Sequence, residues 1–325
     1  MSADVLVLLR ASSGPRVGLG HVMRTRAVAE AVLELGGRAR LVVDDELNAR
    51  ALREHGLEAA CVTDDPHWTS APARGAWLDG FVDWSAELRA LARGGTPGWL
   101  VENRTVARER CARLVHPALH HEADAWERVH PDRVLSGAGW IPLARQVRET
   151  RPSRERDVEL LVTFGGSDPL RSTERVLAAL PEGLAIAVSV GPHMAGRRRA
   201  IEELAARRRV RVLDTGEPLA PWMARARVAV TALGTTLYEL AYLCTPALIL
   251  ANYESDRAAL EHYRVHGPHR PVGIAGEIGE RELATAIARG LAEARSPSAP
   301  VAELGEGALR IARGLLGLET AARTA

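Results

Sequence analysis

Lysine is absent from this chain: all 42 of its basic residues are arginine. A lysine Schiff base and a phosphate-binding P-loop both depend on the ammonium group, so both are excluded. Cysteine is scarce. Cys61, Cys111 and Cys244 are far apart and odd in number, so neither a disulfide framework nor a C-x-x-C zinc site is expected. No apolar run approaches the ~18 residues of a membrane-spanning helix. The first residues lack a secretory signal pattern, and a cytoplasmic protein without a membrane span is expected. No sign of charge dominates either. The 41 acidic residues leave a net charge of +1, unlike the basic excess of a nucleic-acid binder. The oligomeric state stays open.

What the chain does have is length and apolar content: 325 residues, 46% hydrophobic. That suits two cores of roughly 150 residues each. Short apolar runs at 5–9, 38–43, 59–62, 99–101 and 114–116 read as strands. Helical patterns at 22–35, 47–55 and 84–92 alternate with them. The stretch 64–98, broken by Pro66, Pro72, Gly75 and Pro97, gives no clear pattern before residue 84. A helix over 142–151 leads into a charged, Pro-containing linker. The grammar then restarts, with strands at 158–164, 185–190, 210–213, 228–231 and 247–250, a helix through Leu180, and closing helices at 283–294 and 308–316. An α/β architecture with parallel sheets is expected. Its domains would be residues 1–150, residues 157–303, and a terminal helix within 304–325 that packs back on the first.

Two strand–glycine-turn–helix junctions carry the candidate chemistry. The first runs from Arg10 to Arg24 and contains Gly18-Leu19-Gly20-His21. It lacks the third glycine of a dinucleotide fingerprint, since Met23 stands there. His21 sits where the helix dipole disfavours imidazolium, so the ring would stay neutral and able to accept a proton. The residue type alone also fits an ordinary exposed helix start. The second junction, Gly165-Gly166-Ser167, follows an apolar strand, and its N–H groups and hydroxyl suit a phosphate. Gly234-Thr235-Thr236 opens another helix, one turn before Glu239, a carboxylate able to hold two ribose hydroxyls. Asn252 to Arg257 is a polar cluster where a buried strand ends, the usual ligand edge of such a sheet.

Other groupings are weaker. His116, His120, His121, Glu122, Asp124 and His130 are metal-donor types, but their spacing matches no helical metal motif. No metal and no cofactor are expected. Asp44-Asp45 and Asp64-Asp65 read as surface turns, and Arg197–Arg199 and Arg207–Arg209 as solvated faces. Trp68, Trp77, Phe81 and Trp84 could line a sugar or acceptor surface, and core packing suits most of them.

The segment Gly18-Leu19-Gly20-His21-Val22-Met23-Arg24 resembles the G-x-G-H-x-x-R opening of the UDP-sugar hydrolases of pseudaminic acid biosynthesis and of related spore-coat polysaccharide proteins. Leu78-Asp79-Gly80-Phe81 is similar to that family's D-x-Y segment. Leu135-Ser136-Gly137 through Arg145 is similar to its stretch before the linker. Phe164-Gly165-Gly166-Ser167-Asp168 resembles F-G-G-x-D, Thr235 to Glu239 the nucleotide-holding T-x-Y-E, and Gly305 to Arg310 the closing G-x-G-A-x-R. Ser12 stands in place of the family aspartate, Phe81 in place of its tyrosine, and Asn252-Tyr253 in place of an asparagine–glutamine pair.

The resemblance implies a GT-B fold, two Rossmann-like parallel-sheet domains facing a central cleft. It implies a UDP-sugar substrate, with Gly165, Gly166, Ser167, Gly234, Thr235, Thr236 and Glu239 on the nucleotide. Arg10, Gly18, Gly20, Arg24, Phe81, Asn252 and Asp256 would lie at the sugar. His21 would be the general base that activates water at C1 with inversion. Transfer to a small-molecule acceptor through the same histidine is the alternative, and a non-catalytic nucleotide-sugar binder is a second one.

Overall fold

The computed structural model describes residues 5–14, 17, 19–180, 183–206, 210–214, 216–266, 268–294, 301 and 303–318. The chain divides into two compact units, Met1–Arg145 with Ala302–Ala325, and Gln146–Val301.

The first unit is built on seven parallel strands: β1 (Leu6–Ala11), β2 (Arg38–Val43), β3 (Glu58–Cys61), β4 (Gly75–Asp79), β5 (Gly98–Val101), β6 (Arg113–His116) and β7 (Val134–Ser136). Their order is β3-β2-β1-β4-β5-β6-β7. The central strands read as continuous apolar runs because helices cover both faces; Val7, Leu8 and Leu9 have no exposed surface. Trp68, Trp84, Leu88 and Leu100 fill one core of this unit. The order reverses direction between β1 and β4, so their carboxyl ends flank the crevice where open α/β sheets bind ligands.

The second unit has six parallel strands: β8 (Val158–Thr163), β9 (Ile186–Val188), β10 (Val210–Val212), β11 (Ala226–Thr231), β12 (Ala247–Ala251) and β13 (Arg270–Ile274). Their order is β10-β9-β8-β11-β12-β13, which places the reversal between β8 and β11. Leu160, Val162, Val228, Val230 and Leu250 form the centre of its core.

Three strands are unmarked in the sequence pattern: β4, β7 and β13. The helix expected over 142–151 is only Arg145–Glu149, and the expected linker is built into the second unit. The Arg148 carbonyl accepts from Tyr242 Oη at 3.1 Å. Arg156 donates to Thr245 Oγ1 at 2.8 Å and to the Cys244 carbonyl at 3.0 Å. The last helix, Gly307–Leu315, packs on the helix Gly20–Glu34 of the first unit. Among the described residues, no helix is long and apolar enough to cross a membrane.

Candidate active site

The helix Gly20–Glu34 leaves the carboxyl edge of β1 and carries His21 and Arg24 one turn apart. Both are buried, at 6% and 8% exposure, so His21 is not the exposed loop residue that its position allows. Its Nδ1 lies 2.7 Å from Asp79 Oδ1. Asp79 ends β4, paired in register with Ala11 of β1, so the two groups meet at the reversal point of the first sheet. Arg24 clamps the same carboxylate, with Nε 3.0 Å from Oδ2 and Nη2 2.8 Å from Oδ1. Its remaining nitrogen, Nη1, reaches Glu102 Oε2 at 2.5 Å. Glu102 follows β5 and holds a left-handed φ of 46°.

Asp79 is fully buried. Burial alone would raise its pKa, but the Arg24 guanidinium and the His21 hydrogen bond outweigh it and hold the group below the usual carboxylate range. For Arg24, burial opposes the charge, and Asp79 and Glu102 more than offset it, so its pKa is raised. With Asp79 ionised, His21 Nδ1 must donate to it. The contact of 3.1 Å between Arg24 Nη2 and His21 Nδ1 then joins two donors that share Asp79 Oδ1. The imidazole lone pair is left on Nε2. This is the arrangement in which a buried carboxylate fixes the tautomer of a general base.

Asp79 was not singled out as a site residue in the sequence, although the Leu78–Phe81 segment contains it. Ser12 is buried, its N–H donates to the Asp79 carbonyl at 2.8 Å, and its side chain lies where a Cβ on Gly80 would fall.

Around this pair, Phe81 sets its ring edge-on to His21, with centroids 4.8 Å apart, and is 68% exposed. Trp68, Trp77 and Trp84 are core residues. Gly20 opens the helix, and an added Cβ would meet nothing within 4 Å. Gly18 lies outside the described residues. Arg10 is turned inward: it pairs with Asp44, donates to the Ala11 carbonyl at 2.5 Å and lies over the Trp84 ring. Asp44 and Asp45 are therefore not idle surface groups. Asp44 accepts from the Ser13 N–H at 2.9 Å, and Asp45 caps the helix Glu46–Glu54 through the Asn48 N–H at 2.9 Å.

In the second unit, Gly165, Gly166 and Ser167 follow β8, and Gly234, Thr235 and Thr236 follow β11, on the two sides of the reversal. The expected phosphate seat at Gly165-Gly166-Ser167 has a different form. The helix starts only at Ser172, and Asp168 already accepts from the Ser172 and Thr173 N–H groups at 2.8 and 3.0 Å. A buried carboxylate occupies the place where the helix dipole would draw an anion. The helix Thr235–Tyr242 starts after Gly234, which has no side chain with which to cap it. Glu239 is half-buried one turn inside it.

Asn252 and Asp256 follow β12. Asn252 Oδ1 is buried without a hydrogen-bond partner among the described residues. Asp256 accepts from the Tyr253 N–H at 3.2 Å. Burial raises its pKa, against the lowering effect of the Tyr253 and Asn252 backbone hydrogen bonds.

The metal-donor residues also group differently from their sequence spacing. His116 and His121 converge on Glu127, which no helical metal motif in the sequence marks. His120, Glu122, Asp124 and His130 are not part of that group, and Asp124 instead caps the helix Ala125–Val129. Burial and the neighbouring His121 lower the His116 pKa, against the opposing effect of Glu127 and Glu102.

Comparison with known proteins defines the class. The chain has the GT-B fold. It matches the glycotransferase of kitacinnamycin at a TM-score of 0.59 and 17% identity, over 96% of this chain and 98% of that one. It matches the UDP-GlcNAc 2-epimerase of Neisseria meningitidis, solved with UDP-GlcNAc bound, at a TM-score of 0.55 and 13% identity, over 97% and 100% of the chains. In sequence it is 24% identical over 168 residues to the spore coat polysaccharide biosynthesis protein SpsG of Bacillus subtilis. That match covers 48% of this chain and 49% of SpsG, about half the length of each. No protein-family model matches.

Proposed function

We propose that this chain is an enzyme acting on a UDP-activated amino or deoxy sugar, breaking the bond between C1 and the diphosphate with inversion. The observation that carries the reading is the buried His21–Asp79 pair at the carboxyl edge of the first sheet. His21 Nε2 takes the proton of an incoming hydroxyl as its oxygen attacks C1, and UDP leaves with the electron pair of the broken C–O bond. Asp79 holds the ring and balances the imidazolium that forms. Arg24 and Arg10, whose guanidinium groups are used inside the protein, hold the site together. Gly18, Gly20, Phe81 and Asn252 are assigned to the sugar, with Asp256 fixing the Asn252 turn. The nucleotide is assigned to the second unit. The glycine-led helix start at Gly234, Thr235 and Thr236 takes the diphosphate, with the backbone of Gly165, Gly166 and Ser167 nearby, and Glu239 takes the ribose.

The incoming hydroxyl is assigned to an acceptor alcohol rather than to water. Phe81 at 68% and Val82 at 49% exposure offer an apolar surface beside the imidazole, as acceptor sites commonly do, and the glycotransferase likeness supports the same choice. Hydrolysis is the second reading, favoured by the Gly18–Arg24 resemblance.

The test is a panel of UDP-sugars in oxygen-18 water, with and without added alcohols. UDP release that requires an alcohol supports transfer, and label at C1 without one supports hydrolysis. Tight UDP binding with no release under either condition would mean a binding protein. His21→Ala should lower turnover about 10²–10⁴-fold; an undiminished rate removes His21 from the base role.

A further inference from the structure

At the end of β6, the donor atoms of His116, His121 and Glu127 lie within 4.8 Å of one another. His116 and Glu127 are 4% and 2% exposed, and His121 is half-buried. Part of this arrangement is explained by local structure. Glu127 Oε2 accepts from the Asp124 N–H at 3.2 Å, completing a capping box, and from His121 Nε2 at 2.6 Å. The rest is a close buried pair: His116 Nε2 lies 2.8 Å from Glu127 Oε1, so both imidazoles converge on one carboxylate.

We propose that His116, His121 and Glu127 bind one divalent transition-metal ion of the zinc class. Two imidazole nitrogens and one carboxylate oxygen suit zinc, cobalt or nickel rather than the all-oxygen shells of calcium and magnesium. Three protein ligands leave a fourth position for water. In a neutral His121, ligation through Nε2 needs the tautomer protonated at Nδ1, so the proton donated to Glu127 is exchanged through solvent onto Nδ1. The ligands come from the end of β6, the loop 117–124 and the helix Ala125–Val129, and one ion would fasten all three together. The inference stands apart from the nucleotide-sugar reading.

The test is a Co²⁺ titration of the chelator-stripped full-length chain, followed by visible d–d absorption and calorimetry, with Zn²⁺ competition. One equivalent should bind saturably and be displaced by Zn²⁺. His121→Ala and Glu127→Gln should each weaken binding by about 100-fold or more, whereas His120→Ala and His130→Ala should leave it unchanged. His121, on the solvent side, decides the matter if loss of the buried Glu127 carboxylate impairs folding. Absence of saturable Co²⁺ binding by the wild-type chain, or wild-type affinity in a folded His121→Ala variant, overturns the proposal.

Discussion

His21 takes its orientation from a residue 58 positions away, and the chemistry of the site is set by that distant carboxylate. Asp79→Asn preserves shape but presents an amide that can donate to Nδ1, so the lone pair needed on Nε2 is lost from the favoured tautomer. Under the proposed reaction, turnover should fall about 10³–10⁴-fold with little change in KM, as expected when only the transition state loses an interaction. Steady-state UDP release measures it, and loss confined to KM would assign Asp79 to binding instead. The two carboxylates, Asp79 and Glu102, and the one guanidinium, Arg24, leave one net negative charge beside the imidazole. A proton gained by His21 brings the four groups to neutrality.

At the scale of elements, β13 shows how one buried side chain fixes a strand. His269, just before it, donates from Nε2 to the Leu237 carbonyl at 2.7 Å. Burial lowers its pKa to about 4, against the opposing effect of that hydrogen bond. The unfolded chain, with an ordinary value of ~6.5, binds the extra proton between those limits. The stability that His269 gives is therefore complete above about pH 6.5 and is lost as the pH falls towards 4, a swing of about 3 kcal/mol. Urea unfolding of His269→Phe should be weaker at neutral pH but flatter between pH 7.5 and 4.5 than wild type; parallel pH profiles would refute this.

Elements of this kind also mark how far the sequence could be read. The apolar runs of β1, β2 and β8 announce themselves because both of their faces are covered. β13 contains Pro271 and Gly273, which a strand tolerates at a sheet edge, and its register shifts opposite Ile249 and Leu250. β4 is brief and set among prolines and glycines, and missing it concealed Asp79. His21 was legible because a glycine turn and a helix start frame it locally. The partners Asp79 and Glu102 were not, since only the strand order brings the ends of β1, β4 and β5 together. Asp168 likewise sits in a recognisable F-G-G-x-D segment, but its capping of Ser172 and Thr173 depends on a left-handed φ of 43° that sequence does not display.

For the whole molecule, the closing helix Gly307–Leu315 matters more than its length suggests. A Cβ on Gly307 would strike the Ile141 backbone, and one on Gly314 the Trp99 ring. Gly307→Ala should therefore cost about 1–3 kcal/mol through overpacking against a backbone that cannot rotate aside. Trp68, Trp77, Trp84, Trp99, Trp126 and Trp140 belong to the first unit, and only Trp222 of the seven tryptophans to the second. Denaturant titration followed by tryptophan fluorescence will report that loss, and an unchanged midpoint would show that the contact yields. The same helix also sets an order of events during synthesis. The second unit is continuous in sequence, whereas the first is interrupted and needs residues from the last tenth of the chain. On the ribosome, where domains fold as their residues emerge, Gln146–Val301 can finish while the sheet bearing His21 still awaits its final helix.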